Sequence, residues 1–450
     1  MKIALIILAA GKGTRMKSDI PKVLHPLAAA PLLIHAMRAG ESLAPEHTVV
    51  VAGHGFDAVR KAALSYDPTS IVVEQAEQLG TGHAAAQAKD ALESFDGTAI
   101  VMFGDTPFVS AETLQRMTDA QAHHALVVLG FEPKDPARYG RLVMQGESLE
   151  RIVEFKDATD AERDIGFCNS GVMACEAALL FELLDDLDND NAAGEYYLTD
   201  LVALVRARGL SATAISCDAH ETRGINSRQE LAGAELAFQQ RARTQAFEDG
   251  VTLAAPETVH FAFDTVIGRD AVVEPNVVFG PGVTVESGAT VRAFSHLEGC
   301  HIARGSVVGP FARLRPGAEL HENTRVGNFV EVKNASIGAG TKVSHLSYIG
   351  DATLGENTNV GAGTITCNYD GVMKHHTHIG NNVFIGSDTM LVAPVHIGDG
   401  AMTGSGSVIT SDVEPEALAV ARAPQIEKPG MATKLLNILK TKKAKAQRGS

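Results

Sequence analysis

Residues 8–22 read LAAGKGTRMKSDIPK and continue the apolar run IALIILA. Gly11 and Gly13 permit close backbone approach and dihedrals closed to other residues. Backbone N–H groups in such a turn, with the helix start behind it, can cradle phosphate oxygens. Lys12, Arg15 and Lys22 would neutralise their charge. The spacing is neither that of a P-loop nor that of a G-x-G-x-x-G dinucleotide loop. Alone, a Gly-rich turn after a strand is as readily structural. It is not alone: FGD at 103–105 closes a second apolar run. Strand C-termini converge on the ligand crevice of a doubly wound sheet. Asp105 is therefore placed to hold a divalent metal against phosphates, although an isolated Asp after a strand is more often a helix cap.

A second group holds Arg315, Glu331, Lys333, His345, Tyr348, Asn359, Asn368 and Tyr369. Arg315 and Lys333 are eighteen apart, one circuit of a three-sided hexapeptide coil. Stacked on one wall, they suit a phosphate; the plain alternative is solvated cations on a polar face. As a base, His345 would take a proton from an amine, which the reference imidazole pKa of ~6.5 permits at neutral pH. Glu331 is the expected orienting partner of its ring. The plain alternative is a hydrogen-bonded structural histidine. HHTH at 375–378 puts His376 and His378 on one strand face with His375 nearby, which raises zinc. No fourth ligand at suitable spacing accompanies them, so exposed histidines entering a strand are the simpler reading.

The elements that must position these residues follow from composition and period. A chain of 450 residues implies two or three domains. Apolar content of 45% and charged content of 21% are those of a globular protein. A net charge of −15 argues against a general nucleic-acid binder but not against small anionic substrates. Cys168, Cys175, Cys217, Cys300 and Cys367 form no C-x-x-C pair, and the scattered odd set fits reduced thiols in a cytoplasmic protein. IALIILAA is short for a signal segment, lacks a cleavage pattern and cannot span a bilayer, so no membrane span is expected.

Three textures divide the chain. Over 1–225, KIALIILA, HTVVVAG, TSIVVEQ, TAIVMFGD and HALVVLGF read as strands, with APLLIHAMRAGESL and GTGHAAAQAKDALESF as helices between them. Continuous apolar strands alternating with helices imply an α/β, mostly parallel sheet covered on both faces. Residues 226–250 read as one connecting helix, capped by Asn226 or Ser227 with Glu230, and ended by Gly250. Over 251–425 an aliphatic residue recurs about every sixth position, through Val273, Phe279, Val285 and Val291 to Val360, then again from Ile379. This is hexapeptide-repeat texture and predicts a parallel β-helix with an interior aliphatic column. TCNYDGVMKHHTH interrupts the beat and reads as a loop expelled from a corner, a lid long enough to reach an adjacent subunit. Residues 426–450 form a basic tail without an acid after Pro429, in which TKLLNILK is one amphipathic segment and the rest is solvated.

In this order, LAAGKGTRMKSDIPK, EQLGTGHA (77–84), FGDTP (103–107), YGR (139–141), VEFKDA (153–158), FCNSGVM (167–173), GEYYLTD (194–200) and GIN (224–226) resemble the sugar nucleotidyltransferases. LGTGHA with GEYYLTD resembles the uridylyltransferases that make UDP-N-acetylglucosamine. GPFARLRPGAEL, VGNFVEVKNA, GAGTITCNYDG and IGSDTMLVAPV resemble the acetyltransferase half of the bifunctional glucosamine-1-phosphate N-acetyltransferase / N-acetylglucosamine-1-phosphate uridylyltransferase family. Together the resemblance spans about 1–425. It implies a Rossmann-like nucleotidyltransferase domain, a connecting helix and a left-handed parallel β-helix. It also implies a homotrimer with acetyl-transfer sites between subunits, and a place in supplying peptidoglycan and lipopolysaccharide precursors.

The residue roles come from the same resemblance. Leu8, Ala9, Ala10, Gly11, Gln75, Gly80 and Thr81 would hold the uracil and ribose of UTP, with Gly104 beside them. Lys22 would contact phosphate, with Arg15 on the pyrophosphate side. Gly140, Glu154, Asn169 and Thr199 would bind the N-acetyl sugar, and Asp105 and Asn226 would ligate Mg²⁺. Arg315, Lys333, Tyr348 and Asn359 would take the sugar phosphate, with His345 as base. Ala362, Asn368, Tyr369, Ser387, Ser405 and Arg422 would border acetyl-CoA, with the Ala362 N–H on the oxyanion and Lys374 near the cofactor. Phe103 stands where that family often has Tyr, which removes one hydroxyl and leaves the metal assignment in place. A single-activity nucleotidyltransferase using its β-helix for assembly remains open, but it leaves His345, the Arg315/Lys333 register and the polar insert unexplained.

Overall fold

A strand whose every side chain is buried must be covered on both faces, and Ile3–Ala9 is such a strand. The computed structural model, which describes residues 2–136, 139–191 and 194–448, pairs it in parallel with His47–Ala52 on one side and Thr98–Phe103 on the other. Along the sheet the order is Ala212–Cys217, Leu126–Phe131, Cys168–Glu176, Thr98–Phe103, Ile3–Ala9, His47–Ala52, Ile71–Glu74. Cys168–Glu176 runs antiparallel to both neighbours and carries the hairpin Arg141–Gln145/Ser148–Val153. Alternate residues of the first strand enter different cores. Ala4, Ile6 and Leu8 pack with Leu180, Leu184 and Leu201, whereas Ile3, Leu5 and Ile7 pack with Leu33, Met37 and Leu114. The expected parallel sheet with two covered faces is thus present. The helix expected over 80–95 is shorter. It spans Thr81–Ala86 and then tightens through successive i→i+3 bonds at Ala88 and Lys89 into a 3₁₀ turn at Asp90–Leu92.

The helix Arg228–Glu248 starts on Ser227, whose Oγ accepts from the Glu230 N–H at 3.2 Å. Glu230 in turn accepts from the Asn226 N–H at 2.6 Å. The Asn226 side chain is therefore not spent as the cap. The chain divides into two compact units: Met1–Gln245 with Phe261–Phe263, and Ala246–His260 with Asp264–Ser450.

In the second unit strands of two to four residues pair in parallel with the next coil in the register Val273, Val291, Val308, Val326, Val343, Val360, Ile385. Each of these is at most 2% exposed, so the six-residue beat does mark the interior column of a left-handed parallel β-helix. Successive coils take 17 or 18 residues, and the interrupted one takes 25. The beat does not stop at the interruption. Thr366 is fully buried in register with Leu391, its Oγ1 accepting from Gly350 N–H at 2.8 Å and donating to Gly350 O at 3.0 Å.

The basic tail differs from expectation. A helix spans Met431–Arg448, beyond the short amphipathic segment. Its side chains through 447 are exposed, and Lys, Ala and Gln without Gly or Pro sustain it. Its last two expected positions lie outside the described residues. Among the described residues no helix is long and apolar enough to cross a membrane.

Candidate functional sites

The turn after Ile3–Ala9 owes its shape to Gly13, at φ 60°, where a Cβ would stand 2.5 Å from Lys22 Cβ. That close approach brings the 3₁₀ turn Lys22–Leu24 back against the strand end. Leu8, Ala9, Ala10, Gly11, Lys22, Gln75, Gly80, Thr81 and Asp105 all line one cavity of about 310 Å³, with Phe103. Gly104 lies beneath it, its N–H donating to Leu8 O at 2.9 Å. Lys22 Nζ pairs with the Asp105 carboxylate and donates to Asn226 Oδ1 at 2.9 Å. Asn226 reaches this point because Ile225 N–H bonds Asp105 O at 3.0 Å. A carboxylate and an amide oxygen thus converge on one cation. Oxygen donors of this kind could hold a magnesium ion; the cation between them is the lysine ammonium. Arg15 is exposed on the turn Thr14–Met16 and lines neither this cavity nor the next.

Thr81 and Glu195 also line a neighbouring cavity of about 520 Å³ with Glu154, Lys156, Tyr197 and Thr199. Gly140 abuts Glu154: a Cβ there would meet Glu154 Oε1 at 3.4 Å. Asn169 joins them through its N–H to Gly140 O at 2.8 Å. Burial first, then the carboxylates of Asp157 and Asp200, push the Glu154 carboxyl above its usual range, while a hydrogen bond from Thr199 partly opposes them. All four expected sugar residues are thus adjacent. Tyr197, Lys156 and Glu195 were not singled out from sequence, though each lies inside a quoted motif.

On the β-helix, Arg315 and Lys333 do occupy neighbouring coils, as Arg315 N–H donates to Val332 O at 2.9 Å. Arg315 Nη1 pairs with Glu331 Oε1 at 2.8 Å. Glu331 is therefore not the partner of His345, contrary to expectation. The coil step of 17 puts Asn328, not Glu331, in register with His345, and Asn328 Oδ1 lies 2.6 Å from His345 Nδ1. Asp351 was also missed. It is 7% exposed and accepts from Asn334 and Asn368, with Lys333 Nζ 3.9 Å away. Burial raises its pKa, but those two hydrogen bonds and then Lys333 and Lys374 outweigh it and hold the carboxyl below its usual range. Lys374 is lowered by the adjoining Lys333. The insert thus folds back on its own wall, where two ammonium groups share one carboxylate. Tyr348 follows Glu331 in register, and its hydroxyl lies 3.5 Å from Asn368 Nδ2. Asn359 is in register with Lys342 and Phe384, in the strand ladder that also carries His345.

Ala362, Ser387 and Ser405 share a corner of three successive coils, two residues past Val360 and its register partners. Arg422 Nη1 caps that row with a bond to Ser405 O at 2.6 Å. The loop tip is ordered by Asp370, which accepts from Val372 and Met373 N–H and from His375 Nε2 at 2.7 Å. These bonds, led by that from His375, hold its pKa down at about 2. Tyr369 is 60% exposed. His376 bonds Thr353 Oγ1 at 2.9 Å, and His378 stacks in register with His396. Among the described residues no group of three or more His, Cys, Asp or Glu is arranged to hold a metal.

Residues 5–170 match the MobA-like NTP transferase domain, and residues 264–299 and 376–411 match the bacterial transferase hexapeptide (six repeats). The chain is 75% identical over 450 residues to the bifunctional protein GlmU of Roseobacter denitrificans, covering 100% of both chains. It is 67% identical over 449 residues to that of Ruegeria sp. (strain TM1040), and 66% over 448 residues to that of Ruegeria pomeroyi, again over 100% of each. The chain belongs to the GlmU family, bifunctional enzymes with a nucleotidyltransferase domain followed by a hexapeptide acetyltransferase domain.

Proposed function

We propose that the β-helix transfers acetyl from acetyl-CoA to glucosamine-1-phosphate and that the first unit then joins the product to UTP, giving UDP-N-acetylglucosamine and pyrophosphate. The observation that carries this reading is the convergence of Lys22, Asp105 and Asn226 at a cavity walled by Leu8 to Gly11.

In uridylyl transfer a phosphate oxygen of the sugar attacks the α-phosphorus of UTP in line, and the bond to the departing pyrophosphate breaks. The nucleophile is already anionic, so alignment and charge neutralisation suffice. Gln75, Gly80 and Thr81 seat the base and ribose. Gly140, Glu154, Asn169 and Thr199 seat the N-acetyl sugar. Lys22 moves from Asp105 to the triphosphate, and Arg15 closes over the pyrophosphate end from its exposed turn. Magnesium, held by Asp105 and Asn226, supplies further charge neutralisation when bound.

In acetyl transfer, a hydrogen bond from His345 Nδ1–H to Asn328 Oδ1 leaves Nε2 as the free base. The amine of glucosamine-1-phosphate attacks the thioester carbonyl, Nε2 takes the amine proton, and the C–S bond breaks to release CoA. Arg315, Lys333, Tyr348 and Asn359 hold the sugar phosphate. Asn368, Tyr369, Ser387, Ser405 and Arg422 border the cofactor, and the Ala362 N–H faces the oxyanion.

A homotrimer is supported by Phe294, Phe311 and Phe329, whose rings stack at 5.0 and 5.3 Å along one corner while 53%, 45% and 56% exposed. All three sit at positive φ, where bulky residues are uncommon. An exposed apolar ladder held at that cost fits a contact between copies, with acetyl sites completed between subunits. Five free thiols and the small-molecule substrates support a cytoplasmic location. The reading is tested by two assays on one sample: CoA thiol release with acetyl-CoA and glucosamine-1-phosphate, and pyrophosphate release with UTP and N-acetylglucosamine-1-phosphate. Absence of thiol release would leave a nucleotidyltransferase with a structural β-helix.

A further inference from the structure

Gln75 is 3% exposed yet lines the nucleotide cavity. Its backbone N–H bonds Ala52 O at 2.7 Å, which fixes the residue just past the strand Ile71–Glu74. Its side-chain nitrogen donates to Gly80 O at 3.1 Å. A backbone carbonyl only accepts, so this contact decides which end of the amide is nitrogen. The second amide hydrogen is directed at His83 Nδ1, 3.0 Å away. Both hydrogens are committed within the protein, which leaves Oε1, an acceptor, for a ligand.

The two groups that hold the amide are themselves fixed. Gly80 has φ 116°, and a Cβ there would fall 2.5 Å from Tyr196 O. Gly82 N–H then bonds that same Tyr196 O at 2.8 Å. His83 lies in the first turn of the helix Thr81–Ala86. Gln87 Nε2 approaches the other ring nitrogen at 3.3 Å, and a neutral imidazole accepts at one nitrogen only. Gln87 Nε2 also donates to His83 O at 3.0 Å, so its contact with the ring is the longer and secondary one, and the ring accepts at Nδ1 from Gln75, 3.0 Å away. The Gln75 amide is held in that sense because Gly80 O cannot donate.

We infer that His83 is a positioning residue for base selection: accepting at Nδ1, it locks the Gln75 amide so that Oε1 meets the base. An acceptor there pairs with the ring N3–H of uracil and repels cytosine, whose N3 is itself an acceptor. The inference rests on the reading that the base lies in this cavity. A site built around a buried polar group rejects the wrong partner strongly, because the group is then left unpaired.

The test compares kcat/KM for UTP and CTP, at saturating N-acetylglucosamine-1-phosphate, in wild type, His83→Ala and His83→Asn. His83→Ala frees the amide to turn and should lower the UTP-over-CTP preference by roughly tenfold or more, with the sugar-phosphate KM unchanged. His83→Asn, which restores an acceptor near the place of Nδ1, should keep the preference. His83→Leu, filling the space without an acceptor, serves should the alanine variant fail to fold. Equal loss with both nucleotides, or asparagine behaving as alanine does, would overturn the role of His83. Wild type unable to use UTP would instead strike the cavity reading itself.

Discussion

Lys22 Nζ donates to Asn226 Oδ1 at 2.9 Å while it pairs with Asp105, so the two oxygen donors assigned to magnesium already share one cation. On the proposed metal site, lysine and metal would compete for the same ligands. Replacing Lys22 with Met should tighten Mn²⁺ binding in the absence of nucleotide by roughly tenfold, about 1.4 kcal/mol. The same change should lower pyrophosphate release. Titration by electron paramagnetic resonance reads the first effect directly; unchanged or weaker Mn²⁺ binding would show that the pair does not guard the site.

Glu154 gives a pH-dependent stability effect. Its carboxyl pKa is raised in the folded chain by burial and by Asp157 and Asp200. The sign follows: a raised group favours the fold while protonated, below its unfolded pKa, and loses that contribution as pH rises through the folded value. Glu154→Gln should raise the melting temperature at pH 7 by about 2 °C, the shift that ~1 kcal/mol gives a unit of this size. The gain should vanish as pH falls toward the usual carboxyl range. Sugar-phosphate KM should rise meanwhile. Calorimetry at pH 4 and pH 7 checks the direction.

Asn328 and His345 stand one coil apart, and their bond sets the imidazole tautomer. Asn328→Ala should cut acetyl transfer by about 10–100-fold, mainly in kcat, because the ring loses the bond that orients it. Pyrophosphate release should not change. A loss confined to KM for acetyl-CoA would argue for a binding role instead.

The Phe294–Phe311–Phe329 ladder predicts an oligomer-dependent activity. Phe311→Glu places a charge in the middle of the exposed stack and should shift the chain from trimer to monomer in sedimentation analysis. Thiol release should fall with the trimer, while uridylyl transfer, which is contained within the first unit, should persist. A monomer with full acetyl transfer would contradict sites shared between subunits.

What sequence disclosed followed the range of the signal. The aliphatic column was legible because a six-residue beat is local, and each beat proved buried. Thr366 escaped because a threonine does not look like an interior residue, though Gly350 satisfies its hydroxyl. The residues expected around the nucleotide do line one cavity, yet Lys22 meets Asp105 and Asn226 across 83 and 204 residues of chain, a pairing no local pattern carries. Glu331 was matched with His345 on charge alone. A coil step of 17 sets Asn328 beside the ring, and the uncharged residue takes the place expected of the carboxylate.

The most direct measurement follows both products from one preparation in Asp105→Ala and His345→Ala. Asp105→Ala should lose pyrophosphate release, even at saturating Mg²⁺, and keep CoA thiol release at the wild-type rate. His345→Ala should lose thiol release and keep pyrophosphate release. Loss of both activities in either variant, or retention of the activity assigned to the altered residue, would contradict two chemically separate sites on this one chain.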